Sequence, residues 1–334
     1  MIDELRAHLD ALAKPRGAMG RLETLATELA LTQRRIDART APRQAVLFAG
    51  DHGCVAEGVS AWPSAVTAMM VATILSGRAT SNALAAAADC PLRLIDVGMA
   101  GARVAGPSFF RDARVAEGTA PLGAGPAMTV AQFDAAWAVG ADEAMRAIDD
   151  GAVLLIAGEM GIGNTTPAAC LTALLTGLDR QAAVGRGAGA DDAVLAAKHR
   201  VVAAATARAQ GMADPRDAIA SIAGYEIAAM AGFYATGAAR GATLVLDGYV
   251  STAAALIAER LAPGSVRAMI AGHRSAEPGH GAALAALGLT PVLEWEMRLG
   301  EGSGALTALP LLDASAALLN DVVRLDQIGA DRAD

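Results

Sequence analysis

Short apolar runs, each closed by a glycine or polar turn and separated by alanine-rich helical stretches, constrain this chain most. Ala45 to Ala49 leads into Gly50-Asp51-His52-Gly53, and Leu92 to Val97 leads into Gly98. Ala152 to Ala157 leads into Gly158, Thr243 to Leu246 into Asp247-Gly248, and Val266 to Ala271 into Gly272-His273. Helical patterns lie between them, among them Ala65 to Leu75, Ala168 to Leu175, Ala193 to Ala207 and Thr252 to Leu261. Strand, glycine turn and helix, repeated, predicts an α/β fold with a doubly wound, mostly parallel, Rossmann-like sheet and helices on both faces. Ligands of such sheets bind outside the carboxyl ends of the strands, where all of these polar turns fall.

The two ends of the chain read differently. Residues 1–35 are helical with a break at Pro15-Arg16-Gly17, and residues from 305 onward are helical again. The expected organisation is a large catalytic domain over 36–304 and a small helical lobe built from 1–35 and 305–334. Apolar residues make up 54% of the chain and aromatic ones 3%, so the core must be built from Ala, Val, Leu and Ile in close contact.

Composition excludes several classes. The net charge is −8 without a basic run, and stacking aromatics are scarce, so no nucleic-acid partner is expected. No apolar stretch reaches 18 residues without a charge or glycine, so no membrane span is expected. Cys54, Cys90 and Cys170 are few, scattered and odd in number, and the chain opens on a charged amphipathic helix, both fitting a reduced, cytoplasmic protein. The chain lacks G-x-S-x-G, G-x-x-x-x-G-K-[ST] and G-x-G-x-x-G, which argues against a serine hydrolase, a P-loop ATPase and a dinucleotide site.

The stretch Gly158-Glu159-Met160-Gly161-Ile162-Gly163-Asn164-Thr165-Thr166-Pro167 carries the strongest chemical signal. A glycine turn that opens a helix suits a phosphate or carboxylate, with Asn164 and Thr165 as donors. Glu159 would repel such an anion unless it has another task, so the site reads as one that handles a phosphate together with something cationic or protic. Close strand–helix packing would also explain the glycines, though not Glu159 and Asn164 together. Asp51 and His52 are either ligand-facing or a tight turn with an Asp cap. Gly185-Arg186-Gly187-Ala188-Gly189, with Lys198 beyond it, is either a second part of a phosphate cradle or a flexible loop. His273 to His280 lacks metal-ligand spacing, so no metal site is expected, and Ser275 there can donate to phosphate or ribose. Glu301, within Arg298-Leu299-Gly300-Glu301-Gly302-Ser303-Gly304, is either a base with a raised pKa or an acid placed at a helix start.

The whole set resembles the nicotinate-nucleotide–dimethylbenzimidazole phosphoribosyltransferases. The matching segments are Lys14 to Glu23, Ala49 to Gly53 with Glu57-Gly58-Val59-Ser60, Gly158 to Thr166, Tyr225 to Met230, Leu246-Asp247-Gly248, Ser275 to His280 and Arg298 to Ala305, in order along nearly the full chain. The resemblance implies transfer of ribose 5-phosphate from nicotinate mononucleotide to 5,6-dimethylbenzimidazole in cobalamin assembly, without a cofactor, by a homodimer. By resemblance Glu301 is the base and Glu159 the second acid. Phosphate is expected on Gly161, Gly187, Lys198 and Ser275, with Asn164, Thr165, Asp247, Asp51 and His52 also facing substrate and Met160 and Met69 lining the base slot. The chain departs from the family pattern at Ala18-Met19 for Ser-Leu, Ala188 for Thr and Met69 for Gln. The last departure implies a broadened or shifted choice of base.

Overall fold

The computed structural model describes residues 1–187 and 189–329. Six strands, β1 (Arg43–Gly50), β2 (Leu92–Gly98), β3 (Phe110–Asp112), β4 (Leu154–Met160), β5 (Thr243–Leu246) and β6 (Met269–Ala271), form one sheet in the order β3-β2-β1-β4-β5-β6. Every neighbouring pair is parallel. The order reverses between β1 and β4, which is where a doubly wound sheet opens its crevice. Gly50-Asp51-His52 leave one side of that opening and Glu159-Met160-Gly161 the other.

Period-two alternation explains the layers. Val46 and Phe48 of β1, Ile95 and Val97 of β2, Leu155 and Ala157 of β4, and Leu244 and Leu246 of β5 enter one core. Helices α5 (Val130–Asp149), α6 (Thr165–Thr176), α10 (Tyr225–Ala239) and α11 (Tyr249–Leu261) contribute their apolar residues to it, among them Phe133, Leu171, Phe233 and Ile257. The intervening residues Ala45, Leu154, Ile156, Val245 and Ile270 face the other way. There they meet Leu5 and Leu9 of α1 (Ile2–Ala11), Leu25 and Leu29 of α2 (Arg21–Gln33), and Leu306 and Leu309 of α13 (Ser303–Asn320). Leu47, Ala49, Leu94 and Met160 pack in a third cluster with Val71 and Ile74 of α3 (Ala65–Leu75). The remaining helices are α4 (Thr80–Ala87), α7 (Arg180–Ala183), α8 (Asp192–Gln210), α9 (Pro215–Ala220) and α12 (His280–Leu287).

One expected strand is shorter than its apolar run. Ser265–Ala268 is a 3-10 turn and only Met269–Ala271 is strand, because the Glu259 carboxylate accepts from the amides of Gly264 and Val266 and holds them away from the ladder. Cys54, Cys90 and Cys170 are buried free thiols. Among the described residues no helix is long and apolar enough to cross a membrane.

Helices α5 and α10 approach closely at two glycines. A Cβ at Gly140 would lie 1.7 Å from the Ala229 carbonyl oxygen, and one at Gly232 would lie 2.1 Å from that of Trp137. Alanine gains up to about 1 kcal/mol over glycine in a helix. Overpacking a core costs about 1–3 kcal/mol, and here the obstacle is backbone that cannot rotate aside. Gly140→Ala is therefore expected to lower unfolding stability by about 2 kcal/mol net; a urea midpoint raised above wild type would contradict the close approach.

Candidate active site

The cleft at the sheet's switch point is lined by Glu159 to Thr165, Gly187, Lys198, Asp247, Ser275 and Glu277, with Ser60 and Trp62 on one wall and Arg298 to Gly300 on another. Two groups of side chains meet there.

The first is a carboxylate cluster. Glu159, the penultimate residue of β4, is buried, and Asn164 donates from Nδ2 to Glu159 Oε2. Burial pushes the Glu159 pKa well above the usual carboxylate range, and the neighbouring Asp247 and Glu226 push it the same way. A carboxyl so placed carries its proton readily and can act as acid or as a neutral hydrogen-bonding group.

Glu301 stands beside it. Its amide donates to the Glu159 carbonyl oxygen at 3.3 Å, and its own carboxyl oxygen Oε2 accepts from Ser81 Oγ at 2.9 Å. Glu301 sits at φ 59, a left-handed conformation that a non-glycine residue adopts only when its surroundings enforce it. Two features enforce it. Asp247 accepts from the amides of Gly302 at 3.1 Å, Gly304 at 2.6 Å and Ala305 at 3.3 Å, capping α13 and anchoring the loop. Gly158 leaves room for that loop, since a Cβ there would lie 2.4 Å from the Gly302 nitrogen. Burial raises the Glu301 pKa, while the Ser81 hydroxyl holds it down in part. That suits a base that must still take up a proton near neutral pH.

The second group is cationic. Lys198 Nζ is buried and donates to Thr165 Oγ1 at 2.9 Å and to the Gly185 carbonyl at 3.0 Å. Burial lowers its pKa, and Glu277 opposes that shift. An ammonium has three donors, so one N–H remains for an anion. The Gly187 amide donates to Glu277 Oε1 at 3.0 Å, so an arriving anion must compete with that carboxylate for the amide. Ser275 is fixed from below. Its amide donates to His280 Nδ1 at 2.7 Å, which places the imidazole proton on Nε2, facing Thr252 Oγ1 at 2.9 Å. Burial drives the His280 pKa down to about 3, so the ring stays neutral. Asn164 and Thr165, consecutive at the start of α6, tie the carboxylate cluster to the lysine.

The structure thus gathers Glu159, Met160, Gly161, Asn164, Thr165, Gly187, Lys198, Asp247 and Ser275 into one cleft. Glu301 borders it through Gly300 and the Glu159 contact. The Asp247 carboxylate, expected to face substrate, is taken up by the backbone of the Glu301 loop. Asp51 and His52 are not among the lining residues. Asp51 Oδ2 accepts from the Ala100 amide at 2.8 Å and His52 Nε2 faces Glu226 Oε1 at 2.7 Å. Met69 is 66% exposed on α3 and lies outside the lining, whereas Met160 lies within it. Ala188 falls outside the described residues. Ser81 carries no sequence signal, because it lies in the first turn of α4 and reaches Glu301 only through the packing of α4 on α13. Among the described residues no cluster of His, Cys, Asp and Glu could hold a metal.

A family model described as phosphoribosyltransferase matches residues 1–329. The chain belongs to that family. Its relatives include the nicotinate-nucleotide–dimethylbenzimidazole phosphoribosyltransferase of Thermus thermophilus, 46% identical over 317 residues that cover 95% of this chain and 94% of the relative. The protein of the same name from Mycobacterium tuberculosis is 46% identical over 328 residues, covering 97% of this chain and 90% of its own. The crystal structure of CobT from Thermus thermophilus superposes with a TM-score of 0.96 at 44% identity and covers 99% of both chains.

Ser81→Ala removes the hydroxyl that stabilises the ionised form of Glu301. Its titration, followed by carbon-13 NMR of labelled glutamate carboxyls and assigned with Glu301→Gln, is expected to move to higher pH. A titration that stays in place or moves lower would contradict this contact.

Proposed function

We propose that this chain transfers the phosphoribosyl group of nicotinate mononucleotide to 5,6-dimethylbenzimidazole or a related base, giving α-ribazole 5′-phosphate and nicotinate for cobalamin nucleotide-loop assembly. The observation that carries this reading is the meeting, at one cleft, of a buried lysine with its threonine and glycine neighbours and two carboxyl groups of raised pKa, Glu159 in the lining and Glu301 at its border. The first suits a phosphate, and the second suits a cationic leaving group and a protic nucleophile.

Nicotinate mononucleotide is self-activated, because its pyridinium departs with the C1′–N bonding pair as a neutral ring. One nitrogen of the benzimidazole forms the new bond to C1′ from the opposite face, with inversion, while the other loses its N–H proton. Glu301 takes that proton. Glu159 faces the ribose and the charge that develops at C1′, oriented by Asn164. Lys198, Thr165, Ser275 and the amides of Gly161 and Gly187 hold the phosphate, the last after Glu277 has yielded its amide. Asp247 contributes by holding the Glu301 loop. The flat base lies against Met160 and Leu299.

The protein acts as a homodimer in this reading, which fits the exposed Trp62 and Leu299 in the cleft walls. In this reading the terminal segments 1–35 and 305–334, of which 330–334 lie outside the described residues, form a small helical lobe packed on one sheet face of the catalytic domain 36–304, supported by the packing of α2 on α13 and of both on the strands. The reduced, cytoplasmic setting expected from the cysteines fits three buried free thiols.

Nicotinate release from nicotinate mononucleotide is expected only when a base is added, and Glu301→Gln is expected to cut turnover by about 10²-fold or more. Near-normal activity in that variant would remove the proton-transfer role. Because Met69 lies outside the cleft lining, the departure there gives no ground for a broadened choice, and in a mixture of benzimidazoles, purines and phenols dimethylbenzimidazole is expected to be the main base converted, read as α-ribotide products by mass spectrometry. Conversion chiefly of a purine or phenol would contradict this. Tight binding of nicotinate mononucleotide without turnover on any base would favour a non-catalytic nucleotide-binding regulator.

A further inference from the structure

Beneath the cleft floor lies a buried imidazole–carboxylate pair that no step above uses. His52 Nε2 and Glu226 Oε1 are 2.7 Å apart, with side chains 1% and 0% exposed. Glu226 lies in the first turn of α10, where the helix dipole favours a carboxylate. Its second oxygen has no hydrogen-bond partner among the described residues.

Glycines surround this pair closely. A Cβ at Gly224 would lie 2.4 Å from His52 Cε1 and 2.6 Å from Glu226 Oε2, and one at Gly50 would lie 2.9 Å from Glu226 Oε2. A Cβ at Gly161 would lie 3.2 Å from His52 Nε2, and one at Gly163 would lie 3.6 Å from His52 Cβ. The imidazole therefore packs against the underside of the Gly161–Gly163 turn. The upper side of that turn belongs to the cleft, and Asn164, which follows it, donates to Glu159. Glu226 locks the ring, the ring supports the turn, and the turn sets where Asn164 holds Glu159.

We infer that His52 and Glu226 are a positioning pair that fixes the Gly161–Asn164 turn and, through Asn164, the carboxyl of Glu159. The inference rests on the proposed reading of the cleft. It replaces a substrate contact for His52 with a role one layer below the substrate, and gives Glu226 a part in the reaction. A removed ring leaves a void under a glycine turn whose other supports are the Thr67 hydroxyl on the Ile162 amide, the Gly50 carbonyl beside Gly161 and Val55 beside Gly163, and a misplacement of about 1 Å in such a site costs about 10²-fold.

The test is a double-mutant cycle on the full chain with nicotinate mononucleotide and dimethylbenzimidazole, using His52→Ala, Glu159→Gln and the double variant. His52→Ala is expected to lower kcat about tenfold or more, with KM for nicotinate mononucleotide within about threefold of wild type. His52→Gln, which keeps a donor for Glu226, is expected to recover kcat to within about threefold of wild type. On the Glu159→Gln background, His52→Ala is expected to cost less than about twofold more, because its target is already gone. Losses that multiply, or a loss confined to KM, would overturn the positioning role, since loosened structure would act on both backgrounds alike. Should His52→Ala not fold, His52→Asn carries the same cycle, with a smaller loss that likewise vanishes on Glu159→Gln. A wild-type enzyme without turnover would overturn the functional reading and the pair with it, whereas wild-type turnover with multiplying losses overturns the pair alone.

Discussion

The carboxylate of Asp247, at the end of β5, holds three backbone amides of the Gly302–Ala305 segment, and the cleft depends on that clamp. Each hydrogen bond to a charged acceptor contributes about 1.5–3 kcal/mol. The left-handed backbone of Glu301 costs about 1–3 kcal/mol. The clamp outweighs the strain, so a carboxyl stays in a conformation it would leave if free. The same contact caps α13, whose inner face packs on the sheet, and so couples the fold's stability to the placement of Glu301.

The neighbouring carboxyl groups are separated by environment, not by residue type. Glu159 is buried against Asp247 and Glu226 with one amide donor, and its pKa rises strongly. Glu301 is also raised by burial, but the Ser81 hydroxyl offsets part of the effect. Two glutamates side by side thus present different proton affinities, the condition under which one site can hold a proton and also accept one. The lysine group is kept apart from them by the turn that joins Asn164 to Thr165.

Much of the fold is legible in the sequence because the strand ends coincide with glycine and the helix starts with a change of period. Thr243–Leu246 and Ala65–Leu75 fall where the pattern puts them. The pattern is silent for α10, which is buried on every side and so has no polar face to set a period, and for β3, whose three residues are placed by pairing with β2. The cleft is legible at its strand ends and less so beneath them. Glu159, Asn164 and Lys198 stand where motif logic puts them, whereas His52 turns under the floor because the space over Gly224 accepts its ring. Gly158 reads as a phosphate glycine, yet its missing side chain serves the approach of the Glu301 loop, a contact 143 residues away that no local pattern encodes. Ser81 is invisible for the same reason.

In the proposed reaction Glu301, held by Asp247, removes the proton from the incoming base. The pH dependence of kcat/KM in wild type and in Glu301→Gln tests it most directly, since that profile reports the ionisations of the free enzyme. An acidic limb is expected in wild type above the usual carboxylate range, where falling pH protonates the base, and a residual rate in Glu301→Gln that lacks this limb. An unchanged limb in Glu301→Gln would place the essential ionisation on another group, Glu159 foremost, and contradict the account.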